Sequence, residues 1–377
     1  MKILVTLVMF VLAVFFGSGC KKPYEPRVLS TITNFLVVDG NIAVGNDQVT
    51  KIVLSRTTRL SDSITFDPEN NATVFIEQEQ GGMIQLLNRD NGVYESPVLS
   101  LQTGANYRLR ILSDNKEYVS EFVNARVSPA IDSVTWRQDN DVFIYVHTHD
   151  PSNQARYYRW EYVETWNYAS FLVSPWAVSD GLIFVKDSLT QTDSCWRSLA
   201  SSQILVASTE ALSQDIVSNF QVARVRQHSE KIGMGYNILV RQYAITDEAY
   251  RYFSLIQKNT EQLGTLFDGQ PSQLKGNIHC SQDPGEPVIG FVTASTISEK
   301  RLVIRNKQVD WNFIQPGPDC SPTIVIPQHP DNFKIYDYPD PEYTIYYYIT
   351  GGTMRLARKV CLDCRSLGGT NEKPVFW

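Results

Sequence analysis

The sequence predicts a mainly β protein with two β-sandwich domains of the immunoglobulin or fibronectin III type, one prominent helix and an irregular C-terminal tail. Short segments rich in β-branched and aromatic residues recur along the chain, with Gly, Asn and Asp between them. Short strands separated by such turn residues are typical of antiparallel sandwiches. Only one segment keeps a helical periodicity. The composition, 43% hydrophobic and 20% charged, is that of an ordinary globular protein.

The chain begins with a segment that resembles an export signal. Met1 and Lys2 precede an unbroken apolar run over residues 3–16, which is too short and too early for an ordinary membrane span. Small residues at 17–19 then lead to Cys20, the pattern that a lipoprotein signal peptidase requires. We therefore predict a signal peptide over residues 1–19 and acylation of Cys20. An ordinary secretory signal with a chance cysteine is the alternative.

Removal of the first 19 of 377 residues leaves 358, enough for two or three domains. Residues 20–31 contain Pro23 and Pro26 and are predicted to be a lipidated tether. No second apolar run approaches membrane-spanning length, so the lipid is the expected anchor to the membrane. The net charge is −6 with no basic patch, which argues against a nucleic-acid partner.

The first β-sandwich domain is predicted over residues 32–127. Its β-prone segments are 34–40, 51–56, 72–78, 83–87, 106–113 and 117–123. Turn residues separate them, as in Asp39-Gly40 and Asn91-Gly92. The second, fibronectin III-like domain is predicted over residues 128–315, beginning near Pro129. Three consecutive strands are expected at 132–138, 142–150 and 157–164, then a partly extended insertion over about 165–233, and a further strand at 236–243.

One helix is predicted at about residues 246–263. Thr246 or Asp247 can cap it, and Gly264 ends it. Its apolar face contains residues at helical spacing, namely Ala249, Tyr252, Phe253, Ile256, Thr260 and Leu263. Strands are expected again at 278, 287–292 and 301–305. Residues 316–377 form a Tyr- and Pro-rich tail that closes on Cys361-Leu362-Asp363-Cys364.

The cysteines fit an exported protein. Five follow Cys20, so at least one is unpaired if the others form disulfides. A disulfide between Cys320 and one of the closing pair, Cys361 or Cys364, is favoured over zinc, because no second such pair exists to complete a zinc site.

Several short motifs occur along the chain: QPS at 270–272, GNI at 276–278, VIGF at 288–291 and KR at 300–301, together with YYRW at 157–160, CW at 195–196, and the closing CLDCR, GGTN and KPVFW at 361–365, 368–371 and 373–377. Together these motifs resemble a Bacteroidetes lipoprotein family known only as a domain of unknown function, number 4249. The resemblance adds Cys195 to the disulfide candidates. Cys280 does not match a family position and is the candidate free thiol.

The resemblance implies a setting and no catalytic residues. The resemblance implies that the protein is encoded beside a TonB-dependent outer-membrane transporter, so we expect a non-enzymatic accessory in nutrient capture or uptake. Its partners would be the transporter and a small-molecule, peptide or glycan ligand. The outer membrane is the expected location, with its face left open. A surface adhesion or structural lipoprotein is the alternative, and a hydrolase is a third possibility. No cofactor is expected.

Two sets of residues are candidates for binding. His147 and His149 alternate on a strand and would share one face, where they could meet a cation, but no third ligand can be located. Aromatic residues crowd two stretches, 157–176 and 333–348. Such rings can grip sugars or peptides when exposed, although most are expected in the core. The binding candidates among them are Trp166, Trp176, Tyr336, Tyr338 and Tyr343.

Overall fold

A computed structural model describes residues 34–58, 66–179, 182–187, 190–261, 275–313, 317–321, 323–326, 342–348 and 353–377. The predicted signal peptide, Cys20 and the tether lie outside the described residues. Within the described ranges, no helix combines the length and the apolar character needed to cross a membrane.

The predicted mainly β fold is confirmed. In the first part of the chain the strands are β1 (Leu36–Ala43), β2 (Gly45–Gln48), β3 (Lys51–Arg56), β4 (Asp67–Pro68), β5 (Thr73–Gln78), β6 (Met83–Asn88), β7 (Val93–Glu95), β8 (Leu99–Leu101), β9 (Asn106–Ser113), β10 (Lys116–Ser120) and β11 (Val123–Asn124). The next strands are β12 (Ile131–Asp139), β13 (Asp141–Asp150), β14 (Tyr157–Ala169), β15 (Trp176–Ser179), β16 (Leu182–Val185), β17 (Ser194–Ala200), β18 (Leu205–Ser208), β19 (Asp215–Val225) and β20 (Gly235–Ala244).

The helix α1 (Asp247–Glu261) follows. After it come β21 (Ile278–Cys280), β22 (Ile289–Gly290), β23 (Thr293–Ser295), β24 (Ile297–Arg305), β25 (Ile324–Ile326), β26 (Tyr343–Tyr348), β27 (Met354–Arg358) and the short helix α2 (Lys359–Leu362). Single 3-10 turns occur at Glu230–Ile232, Asn306–Gln308 and Cys364–Leu367.

The first unit is built on a sheet whose strands are hydrogen-bonded in the order β21-β10-β9-β5-β6-β7-β3-β1-β22. Its strands alternate between buried and outward-facing residues: in β1, Leu36 and Val38 are buried, whereas Asp39 is exposed. Inward residues from the whole path form one core, including Ile52, Ile76, Leu109 and Tyr118, as the two-residue period of a strand requires.

Residues 278–295 belong to this first unit, which corrects their placement in the second domain. β22 and β23 pair in parallel with β1, and β21 pairs antiparallel with β10. Ile278, Val288 and Val292 enter the first core. From sequence alone, a short apolar strand is assigned to the same domain as its neighbours along the chain, because no local feature indicates this long-range pairing.

The second unit consists of a sheet β12-β13-β19 and a sheet β17-β14-β20-β24, with β18 also paired to β14. Both sheets bury residues in a second core, including Val142, Ile144, Trp160 and Ile238. The stretch 165–233, predicted as an insertion, instead supplies β17, β18 and β19 to these two sheets. Alternation is weak there because each strand is partly exposed, as in β17. The immunoglobulin or fibronectin III character of the two units stays a prediction.

Helix α1 begins where the sequence indicated. The Thr246 hydroxyl accepts a hydrogen bond from the Ala249 N–H at 3.2 Å, so Thr246 is the cap. Tyr252 and Phe253 are buried against Val206 and the strand residue Tyr243. Thr260, expected on the apolar face, is exposed and donates to the Ile256 carbonyl. The predicted Leu263 lies outside the described residues.

The tail is more regular than expected. β25, β27 and β26 form a small sheet, whose buried residues include Ile345 and Leu356. Two disulfides hold this region: Cys195 pairs with Cys364, and Cys320 pairs with Cys361. All four cysteines predicted as disulfide candidates therefore form disulfides, and the sulfurs of Cys361 and Cys364 are not available as zinc ligands. Cys280 is free and buried.

Two chain segments cross side by side between the units. The Thr296 N–H donates to the Arg126 carbonyl at 3.0 Å, and the Arg126 N–H donates to the Ala294 carbonyl at 2.9 Å. The Ser128 N–H adds a bond to the Thr296 hydroxyl at 2.8 Å. The crossing at 124–131 and the crossing at 293–298 thus support each other, and this double connection sets one unit against the other.

Candidate functional site

A cleft of about 740 Å³ lies where the two units meet. One wall is formed by the outward residues of β1 and β3, and the other by those of β14, β20 and β24. Helix α1 and the loop 200–204 contribute the rest of the lining. The cleft therefore lies between the outer face of one sheet and the outer face of another.

The second-unit wall carries a row of alternating charges. The register places Glu161 of β14 beside Arg241 of β20, and Arg241 beside Glu299 of β24. Arg241 donates its Nε to Glu299 Oε1 at 2.7 Å. All three side chains are between one third and one half exposed. Opposite charges on directly paired residues stabilise one another across strands, and here they also face the cleft.

Arg159 lies deeper in the cleft, with its side chain only 12% exposed. Its guanidinium pairs with Glu161 and reaches Asp39 of the first unit at 3.4 Å. It also lies over the ring of Phe253 in α1, with Cζ 4.5 Å from the ring centre. Burial lowers the pKa of Arg159, but the carboxylates of Glu161 and Asp39 more than offset this and raise it. Arg159 therefore links both units and the helix with a fixed positive charge.

Tyr243 completes this corner of the cleft. Its hydroxyl donates to Glu161 Oε2 at 2.9 Å. Burial, together with the Glu161 carboxylate, raises the pKa of Tyr243 above its ordinary value, so the phenol keeps its proton and remains a donor. Both oxygens of Glu161 are then engaged, one by Arg159 and one by Tyr243.

The first-unit wall is more open. Asp39 is 65% exposed and lies 3.4 Å from the Arg159 guanidinium. Lys51 is paired in register with Glu95, and both line the cleft. In the described part of the chain, the Lys51 ammonium has no hydrogen bond or ion pair. Half-buried aliphatic side chains lie among these charges on the two walls, including Val37, Val53, Val163, Ile204 and Ile297.

The aromatic residues singled out from the sequence are mostly structural. Trp166 is 2% exposed and part of the second core, with Lys231 and Arg197 over its ring. Trp176 and Tyr343 are partly buried against the small C-terminal core. Tyr336 and Tyr338 lie outside the described residues. Trp166 is therefore not an open binding platform, because strand alternation turns its ring inward.

His147 and His149 do share the outward face of β13, as predicted. Each has a neighbour of its own, however. His149 Nδ1 contacts the Asp132 carboxylate at 2.8 Å, and His147 Nε2 lies 3.0 Å from the Thr135 hydroxyl. The hydrogen bond to Asp132 raises the pKa of His149. No group of three or more His, Cys, Asp or Glu side chains that could hold a metal ion occurs in the part of the chain that the structure describes.

Sequence reasoning missed the cleft, although one signal was present. In the stretch 157–163, large aromatic residues alternate with Arg159, Glu161 and Val163. That pattern indicates a strand with one buried face and one charged face. It does not indicate that a second sheet faces the charged side, because that depends on pairing between residues far apart in the chain.

Comparison with known proteins places the chain in a family. The family model described as Domain of unknown function (DUF4249) matches residues 21–301, and the chain therefore belongs to that family. No curated protein matches the sequence. Among solved structures, the adhesin InvE of Yersinia pseudotuberculosis is similar at 14% identity and a TM-score of 0.15. The match covers 56% of this chain and 57% of the adhesin.

Proposed function

We propose that this chain is a non-enzymatic, lipid-anchored accessory of a TonB-dependent outer-membrane transporter, and that it captures a nutrient in the cleft between its two units. The observation that carries the proposal is the cleft itself. Its volume of about 740 Å³ lies within the range of about 300–1,000 Å³ that is typical of ligand sites. Its lining combines aliphatic side chains with a few fixed charged groups, which is the usual composition of a site that orients a ligand.

Two features support a site that exists before the ligand arrives. Arg159 is held by Glu161, Asp39 and the Phe253 ring, so it loses little freedom when a ligand binds. The two hydrogen-bonded crossing segments join the units that carry the walls. The sequence supports the anchor, since small residues precede Cys20 after a short apolar run. The transporter partnership rests on the gene neighbourhood that the family resemblance implies.

The test is an affinity purification of the tagged, acylated protein from mild-detergent extracts of its native membrane, followed by mass spectrometry. We expect a TonB-dependent barrel at close to one copy per copy of this chain. The variant Cys20→Ala, added to the same extract, is expected to recover the same barrel, since the contact would be between proteins. Recovery with the acylated chain only would mean shared micelles rather than a complex.

Recovery of the protein without a barrel, in extracts that preserve other barrel–lipoprotein complexes, would contradict the partnership. A surface adhesion or structural role, the alternative that the sequence left open, would then take its place.

A further inference from the structure

We infer that the ligand of the cleft is a short peptide with a free carboxyl end and an apolar side chain, whose carboxylate binds Arg241. This inference rests on the proposed function, because it names the ligand class of the same cleft. It depends on which polar groups of the cleft are still free to bind, and on which side chains surround them.

The free donors are on opposite walls. Arg241 uses its Nε for Glu299, while its two terminal nitrogens have no hydrogen bond among the described residues. Its side chain is 38% exposed and faces the cleft. A guanidinium fork binds a carboxylate through two parallel hydrogen bonds, and this geometry suits a peptide terminus. Lys51 on the facing wall adds a second cation, whose ammonium has no ion pair in the described part of the chain.

The carboxylates that line the cleft make a polyanion an unfavourable ligand. Four carboxylates line the cleft, those of Asp39, Glu95, Glu161 and Glu299, against the three cations of Lys51, Arg159 and Arg241. A phosphate or nucleotide would meet this excess of like charge, which disfavours binding. A peptide with both termini free carries both signs. Its ammonium group suits Asp39, which is 65% exposed and, among the described residues, is paired only through the long contact to Arg159.

The apolar lining decides between a peptide and a glycan. Sugars stack on exposed aromatic faces, but the rings of Tyr162, Tyr243, Tyr252 and Phe253 at this cleft are each less than a tenth exposed. The fifth ring, that of Phe291, is half-buried and packs against Tyr252 and Phe253. The accessible apolar surface is mostly aliphatic, as at Val163. Aliphatic walls between charged groups fit a peptide side chain better than a sugar ring.

The experiment is isothermal titration calorimetry of the full acylated chain in detergent, with the tripeptide alanyl-valyl-alanine and its C-terminal amide as probes. We expect the free acid to bind at least tenfold more tightly than the amide. In Arg241→Gln this preference is expected to disappear, because the fork for the carboxylate is gone. In Glu299→Gln, which breaks the same ion pair but keeps the guanidinium and removes one carboxylate, the preference for the free acid is expected to remain or to increase.

Equal binding of acid and amide to the wild type, or an unchanged preference in Arg241→Gln, would overturn the assignment of the carboxylate to Arg241. Failure of the free tripeptide to bind would overturn the peptide ligand. The purification of a TonB-dependent barrel is independent of both results, so recovery of the barrel without peptide binding would leave the transporter role in place with another ligand. Loss of the barrel as well would remove both.

Discussion

At the scale of single residues, buried charge in the first unit is a sensitive point of the fold. The side chains of Arg56 and Glu69 are only 7% and 8% exposed, and the guanidinium also donates to the Ser113 hydroxyl. Breaking such a pair from one side leaves an uncompensated buried charge. We therefore expect Arg56→Met to lower the free energy of unfolding at pH 7 by about 3–5 kcal/mol, measured by urea denaturation. The half-exposed Arg110 serves as the control, and Arg110→Met should cost about 1 kcal/mol or less.

The same pair gives a pH dependence whose sign can be checked. Burial by itself raises the pKa of Glu69, but the hydrogen bonds from Arg56, Ser113 and the Asn71 N–H hold it below the ordinary value of 4.5. A depressed pKa contributes stability above the unfolded pKa, and this is lost as the pH falls through the folded pKa. The difference between wild type and Arg56→Met should therefore shrink in acid. A difference that stays constant from pH 7 to pH 3 would contradict this account.

At the scale of elements, the sequence predicted well those strands and the helix whose bounds depend on local pattern. The strands at 51–56 and 106–113 have the predicted bounds because alternation and turn residues define them locally. Helix α1 likewise begins after its predicted cap. The cleft could not be predicted in this way. Arg159 and Arg241 lie on one wall only because β14 pairs with β20, about 80 residues later in the chain, and Trp166 was misassigned because alternation alone does not say which face is buried.

The helix cap offers a prediction at this scale. Without the Thr246 hydroxyl, the Ala249 N–H in the first turn of α1 loses its acceptor. We expect Thr246→Ala to lower the free energy of unfolding by about 1 kcal/mol, and Thr246→Ser to change it by much less, as measured by chemical denaturation. A loss of similar size in both variants would mean that the methyl group of Thr246, rather than its hydroxyl, stabilises the helix.

At the scale of the whole molecule, the chain leaves the first unit and returns to it. β1 to β11 build most of its sheet, β12 to α1 follow in the second unit, β21 to β23 then complete the first sheet, and β24 returns to the second unit. Each unit therefore needs a segment that the chain supplies only after passing through the other. Because the hydrogen-bonded crossing segments also join them, the two units should lose their structure together rather than one after the other.

This coupling can be measured because the seven tryptophans all lie after residue 135, in the second unit or the tail. Tryptophan fluorescence therefore reports on that part of the molecule, while circular dichroism reports on both units. We expect the two signals to give the same denaturation midpoint, the usual criterion for a single transition.

Arg56→Met, although it alters only the first unit, should shift the fluorescence midpoint as far as the dichroism midpoint. If fluorescence kept its wild-type midpoint while dichroism shifted, the two units would unfold independently. The cleft would then lie between two units whose free energies of unfolding are not coupled. A shared shift would instead mean that the cleft walls are held in place by the stability of both units.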